Sequence, residues 1–254
     1  ILFVRDFHMG VPGVAWATFL CQSISGIVAV IFVLKKVHEV VGGEKCPLFS
    51  GVLLKKMLII AIPSAIQQSF ISVGNILVQR VINGFGTACM GGYTAAIKLN
   101  NMFVTSVTAL GNGMSNYTSQ NLGAREYGRA KKGAHFGIVC AMILAELIGF
   151  AMYAFMPYLA RFFSSTPEVI RLATNQARTI SLFYCLLAYS HAVSSVLRGA
   201  GKAFVPMAVM LAIWCVLRIT YITLIMQYSH ELRFLYYAYP LTWSISSIIF
   251  FLYY

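Results

Sequence analysis

The sequence predicts an all-α fold, a polytopic membrane helix bundle with seven predicted spans, and three observations carry that reading. Of 254 residues, 59% are hydrophobic and only 10% are charged, with a mean hydropathy of +0.77; a typical soluble domain carries roughly 25% charged residues. The apolar residues come in runs long enough to cross a bilayer, which takes about 20 in a row. The basic residues sit mainly in the short polar links between those runs. A net charge of +12 could by itself suit nucleic acid. Its confinement to inter-span links fits anionic headgroups and topology instead, so the expected partner is the lipid bilayer and not nucleic acid.

The first span runs from roughly 12 to 34, with Pro12 well placed at a helix start. Lys35 and Lys36 stop it, and a polar link through Gly42, Gly43 and Lys45 leads to Lys55 and Lys56. The second span covers roughly 57–80 and the third roughly 89–117. The interval from Gly113 to Gly133 is the most polar and basic in the interior, with Arg125, Arg129, Lys131 and Lys132 against the single acid Glu126. The fourth span runs from roughly 134 to 159. After it, Thr166-Pro167-Glu168 reads as the start of a short interfacial helix, Thr166 as N-cap and Pro167 at the first position. The fifth span covers roughly 174–196, a tight Arg198-Gly199-Ala200-Gly201-Lys202 turn follows, the sixth covers roughly 203–226, and the seventh starts near Leu235.

Charge counting orients the bundle. With the 113–133 interval inside, the links 35–56, 119–133 and 198–202 hold eleven Lys or Arg residues, against six on the other side: Arg5, Arg80, Arg161, Arg171, Arg178 and Arg233. That asymmetry satisfies the positive-inside rule. The Trp and Tyr residues near 228–243 suit an outer interfacial belt. The six cysteines, Cys46 among them, show no CxxC pair and imply neither a disulfide framework nor a metal site. Asn116-Tyr117-Thr118 matches a glycosylation sequon by chance, since this topology makes it cytoplasmic or membrane-embedded. The chain begins at Ile1 without Met and ends within an apolar run, which reads as a piece of a longer protein.

An ordered set of short motifs then becomes recognisable. Pro63-Ser64-Ala65-Ile66-Gln67-Gln68-Ser69, Gly74-Asn75, Asn83-Gly84-Phe85-Gly86 and Tyr93-Thr94-Ala95-Ala96 resemble the seventh and eighth helices of multidrug and toxic compound extrusion (MATE) transporters. Gln120-Asn121-Leu122-Gly123-Ala124, with Arg129 and Gly133, is similar to that family's link between helices eight and nine. Leu197-Arg198-Gly199-Ala200-Gly201-Lys202 with Pro206 resembles its turn between helices ten and eleven, and Gly10 to Thr18 the start of its sixth helix. The resemblance implies the last N-lobe helix and interlobe linker over 1–56 and the C-terminal six-helix lobe over 57–254, with the N-terminal helices missing. It implies a cation-coupled exporter of small amphiphilic or cationic compounds, moving Na+ or H+ by rocking of two lobes in a cell membrane. No enzymatic chemistry and no cofactor are expected. Gln120, Asn121, Gly123, Arg198, Gly199, Gly201 and Pro206 would then serve structure or gating.

Polar residues inside the spans are the candidate sites, because charge within a bilayer is costly. Glu146 is the only acid inside a span and reads as a proton or cation site, or else as an acid paired with a neighbouring helix. Lys98 and Arg218 read as structural pairs or snorkelling cations. His191 could respond to protonation or simply hydrogen-bond between helices. Gln67, Gln68 and Asn75, with Ser64 and Ser72 beside them, form an amide and hydroxyl stripe; Gln68 and Asn75 are two turns apart and share a face. Such a stripe can line an aqueous cavity or bond helix to helix. The resemblance also has a gap: where several branches of the family carry carboxylates, this chain has Ile71 and, near the second position, Leu187. Coupling would then rest on Glu146 or on an acid of the missing lobe. Two rivals remain: a lipid-linked oligosaccharide flippase of the same superfamily, expected to need a more cationic cavity, and a seven-helix receptor or channel. Nothing in this chain speaks for a nucleotide-driven pump, as Gly199-Ala200-Gly201-Lys202 is too short for a phosphate-binding loop.

Overall fold

The computed structural model describes residues 3, 6, 8–41, 49–229 and 231–254, with the backbone alone at 38, 40 and 41. Arg5, Gly42, Gly43, Lys45 and Cys46 lie outside the described residues. The chain divides into two units, Ile1–Gly51 and Val52–Tyr254. The first holds helix α1 (Gly10–Val41), 32 residues long, which continues through Lys35 and Lys36 where the sequence suggested a stop.

The second unit is built from α2 (Gly51–Asn83), α3 (Thr87–Gly123), α4 (Tyr127–Arg161), α5 (Pro167–Ser181), α6 (Tyr184–Gly199), α7 (Phe204–Tyr228) and α8 (Leu232–Tyr253). Among the described residues, five helices (α1, α2, α4, α7 and α8) are long and apolar enough to cross a membrane, or six if the bent pair α5–α6 is one span. The exception to the expected seven is α3. Its 37 residues reach about 55 Å at the α-helical rise, far more than a bilayer core, but it is too polar to meet the apolar criterion. Along its length α3 packs against α4, α5 and α6, burying Phe103, Val107, Met114, Thr118 and Asn121.

The packing surfaces are made of small residues. Helix α4 buries Ala130, Ala134, Ile138, Ala141, Ala145 and Gly149 as one stripe along the helix, the periodicity of a single face. Small side chains let helix backbones approach closely where no water drives association. Gly149 shows the limit: a Cβ there would collide with the carbonyl oxygen of Ser181, at the end of α5. That contact marks a second departure from the sequence reading. The expected interfacial helix and fifth span are one broken element, α5 and α6, bent by 58° across Leu182 and Phe183. Pro167 does open α5, but Thr166 caps it by position only; its own amide donates to Ser164 Oγ at 3.2 Å.

The basic interval is not a loop either. Helix α3 runs to Gly123 and α4 begins at Tyr127, so the link is only Ala124, Arg125 and Glu126. Both helices outlast their apolar segments and form a hairpin tip. Its closure is a Schellman motif: Arg125 N donates to Leu122 O at 3.1 Å and Glu126 N to Asn121 O at 2.9 Å. The Arg198–Lys202 turn closes in the same way, with Gly201 N to Arg198 O at 3.0 Å and Lys202 N to Leu197 O at 2.9 Å. Asn121 braces the first stop by donating from Nδ2 to Tyr117 O at 2.8 Å. Arg198 braces the second by donating to Ser194 and Ser195 Oγ at 2.9 and 2.8 Å. The outer aromatic belt is only partial: Tyr228 and Tyr237 are exposed, whereas Tyr236, Tyr239 and Trp243 are buried.

The two stops share a Gly-Ala pair at the helix end and differ at the left-handed position that follows it. The left-handed position is Gly201 (φ 79°) in one and Arg125 (φ 61°) in the other, and a Cβ on Gly201 would meet nothing within 4 Å. At that position backbone strain, and not crowding of the side chain, sets the preference for Gly. Arg125→Gly should raise, and Gly201→Ala lower, the stability of the intact protein by about 1 kcal/mol each, read by thermal unfolding in detergent. Equal effects of the same sign would show that other contacts govern these turns.

Candidate functional site

Helices α2, α3, α6, α7 and α8 converge on a partly enclosed cavity of about 340 Å³. Four residues proposed from sequence line it: Gln68 and Asn75 from α2, His191 from α6 and Arg218 from α7. The two-turn spacing of Gln68 and Asn75 does place both on one wall, with Ile71 between them. Ser64 and Ser72 instead turn their hydroxyls to Ile60 O and Gln68 O of their own helix, at 2.8 and 3.0 Å. Gln67 is buried away from the cavity, its Oε1 without a partner.

The polar character comes from amides and cations. Asn100 and Asn101 of α3 complete the amide set. Asn100 Oδ1 accepts from the Tyr184 hydroxyl at 2.8 Å, which leaves its amide N–H groups for the cavity. Tyr184 itself stacks on Phe103 at 4.2 Å between ring centroids, fixing α3 to α6. The aromatic walls are Trp214, Tyr239 and Trp243. The Tyr239 hydroxyl shares a 2.8 Å hydrogen bond with Tyr93, and Trp214 Nε1 donates to Ser246 Oγ at 3.2 Å.

Arg218 is the central group. It is only 2% exposed, and a guanidinium keeps its charge in a protein. Nη2 donates to Thr242 Oγ1 at 2.9 Å, and Nε has no partner. The group lies 4.7 Å from the Tyr239 ring centroid and 5.3 Å from that of Trp214, both within cation–π range. Among the described residues no carboxylate pairs with it. A π-helical stretch, Leu211–Leu217, immediately precedes Arg218 and carries Trp214. Such wide turns re-aim side chains and recur at functional sites. Gly74 of α2 lets this stretch come close: a Cβ there would sit 3.3 Å from Trp214 O. His191 packs edge-on to Trp214 at 5.4 Å, and its Nε2 lacks a partner.

The other candidates lie elsewhere. Lys98 is exposed, its Nζ 6.0 Å from the Phe163 ring centroid. Glu146 is half-buried at the α5–α6 break, where Oε2 accepts from Cys185 N at 3.3 Å. Cys185 is in the first turn of α6, so the carboxylate faces the positive end of that helix. Gln120, Asn121, Gly123, Arg198, Gly199, Gly201 and Pro206 belong to helix ends, not to the cavity. Ile71 and Leu187, where the resemblance looks for carboxylates, do line it. A larger and more open cleft of about 780 Å³ lies along α4, α5 and the start of α8, with Arg178, Glu231 and Arg233 on its walls. Its openness to the surface and its distance from the convergence of helices make the inner cavity the better ligand site.

Comparison with known proteins now decides the family. The MatE family pattern matches residues 63–224, the larger part of the chain. The chain belongs to the MatE family. It is 24% identical over 221 residues to the probable multidrug resistance protein YpnP of Bacillus subtilis, covering 85% of this chain and 48% of that protein. It is 22% identical over 209 residues to the probable multidrug resistance protein NorM of Thermotoga maritima, covering 82% and 45% respectively. The chain thus spans about half the length of the curated relatives it matches. The crystal structure of MATE in complex with MaL6 superposes with a TM-score of 0.84 at 18% identity, over 99% of this chain and 57% of that one. Fold and membership make this MatE chain a multi-pass membrane protein.

Sequence reasoning missed Asn100 and Asn101, although an adjacent polar pair mid-span was visible. It also assigned Trp243 to a belt. The placement of Glu146 gives a test. Glu146→Ala should cost about 1 kcal/mol of thermal stability, as loss of a helix cap does. Glu146→Gln, which can still accept from Cys185 N, should retain most of it. Equal losses would reject the capping geometry.

Proposed function

We propose that the intact protein is a secondary active multidrug exporter, and that the inner cavity of residues 52–254 is half of its substrate chamber. The observation that supports this most is the convergence of amide, aromatic and cationic side chains on one chamber inside a MatE-family helix bundle. Aromatic faces with a few fixed polar groups suit amphiphiles of varied shape. Transport proceeds by alternating access, the two lobes rocking about residues 1–56, which serve as last N-lobe helix and cytoplasmic linker. The basic hairpin tip at 123–127 lies on the cytoplasmic side, against anionic lipid.

Coupling uses Na+ or H+. The described cavity residues include no acid, so the coupling carboxylate belongs to the part of the relatives that this chain does not match. Glu146 holds the α5–α6 bend rather than the ion. Substrates are small amphiphiles, cationic dyes included, and the setting is the cell membrane.

Expression of the full-length protein in a drug-sensitive host should lower ethidium accumulation several-fold, and unchanged accumulation would remove the exporter reading. Replacing both Gln68 and Asn75 with Ala should cut ethidium export several-fold at normal membrane levels. Full export by that double variant would place the substrate path elsewhere.

A further inference from the structure

The cavity's charge is one-sided. Its polar lining residues are Arg218, His191, four amides (Gln68, Asn75, Asn100 and Asn101), Thr108 and the Tyr239 hydroxyl. The Thr108 hydroxyl donates to Val104 O at 2.8 Å and the Tyr239 hydroxyl is shared with Tyr93. What stays available includes two donors, the partnerless Nε of Arg218 and the N–H groups of Asn100, and His191 Nε2 also has no partner. A permanently charged guanidinium taken out of water costs several kcal/mol, and an anion offsets that cost best. Two rings and one threonine hydroxyl stabilise Arg218 only in part.

We propose that this cavity binds the carboxylate of a small aromatic or amphiphilic acid, with the anionic group beside Arg218 and the ring against Trp214, Tyr239 and Trp243. This rests on the cavity being a solute chamber and adds an anionic class of solute, held at its Arg218 wall, to the amphiphiles proposed above. Thr242 holds the guanidinium from behind, since its hydroxyl accepts from Nη2 while donating to Ala238 O and Tyr239 O at 2.9 and 3.0 Å. Arg suits a carboxylate because its planar N–H groups match two oxygens at once. About 340 Å³ falls within the usual range of small-molecule sites. Ile71 and Leu187 in the walls add apolar surface without opposing charge.

The test uses the intact protein in nanodiscs of zwitterionic lipid and chloride-free buffer, with benzoate, its neutral isostere benzamide and inorganic phosphate as probes. Calorimetric titration of the wild type should show benzoate binding at least tenfold more tightly than benzamide. Arg218→Met should bind the two alike. Equal affinity of the wild type for both probes overturns the proposal, and that comparison needs no variant if Arg218→Met does not fold. Retained benzoate preference in Arg218→Met also overturns it. Phosphate displacing benzoate at equal concentration overturns the aromatic-acid assignment in favour of a free inorganic anion; failure of phosphate to compete supports it. Ethidium export is measured in parallel. Benzoate preference without ethidium export supports the anion site while rejecting cationic dyes as substrates of the chamber. Ethidium export with no benzoate preference does the reverse.

Discussion

The constraint on which this lobe depends is one guanidinium that cannot leave. Arg218 sits in the wall of the cavity where the helices converge, 2% exposed, and among the described residues no carboxylate pairs with it. Everything around it reads as accommodation. Tyr239 and Trp214 turn ring faces to it, and Thr242 offers a hydroxyl oriented by its own helix carbonyls. The π-helical stretch before it sets its direction, and Gly74 admits that wider turn against α2. A side chain so costly to bury gives one wall of the cavity its sign, and hence a place for an anionic group.

Around this centre the bundle fixes its break and its turns by simple means. The α5–α6 element is broken at 182–183, and the break is held from α4 twice: Gly149 lies against Ser181 O, and Glu146 accepts from Cys185 N. One acid inside the membrane thereby meets the exposed amides of a helix start, where its charge is stabilised. At the opposite kind of place, the helix ends, two Schellman motifs turn α3 into α4 and α6 into α7 within three or four residues. Short, hydrogen-bonded turns tie each pair of helices together end to end.

Much of this was legible in the sequence because bilayers impose one-dimensional rules. Apolar runs located α1, α2, α4, α7 and α8, and Lys and Arg clusters found the hairpin tips. The amide stripe Gln68–Asn75 followed from helical periodicity alone. What stayed hidden depends on neighbours. The length of α3 beyond the apolar region was invisible, since hydropathy ends where lipid ends while a helix in contact with other helices does not. The bend at Leu182 and Phe183 has no Pro or Gly to announce it; its cause lies on α4. The π-helical stretch at 211–217 looks like any apolar run. Trp243 and Tyr239 read as belt residues because an aromatic near a span end is ambiguous until its burial is known. Glu146 was visible as a lone acid, but its partner is a backbone amide, which no composition reveals.

The most direct test is a crystal structure of the intact protein soaked with 4-bromobenzoate, read by bromine anomalous scattering. We expect the bromine peak between the rings of Trp214, Tyr239 and Trp243, with the carboxylate in hydrogen-bond contact with Arg218. A protein carboxylate paired with Arg218 and no bromine in the cavity would contradict the idea that a solute anion completes this site.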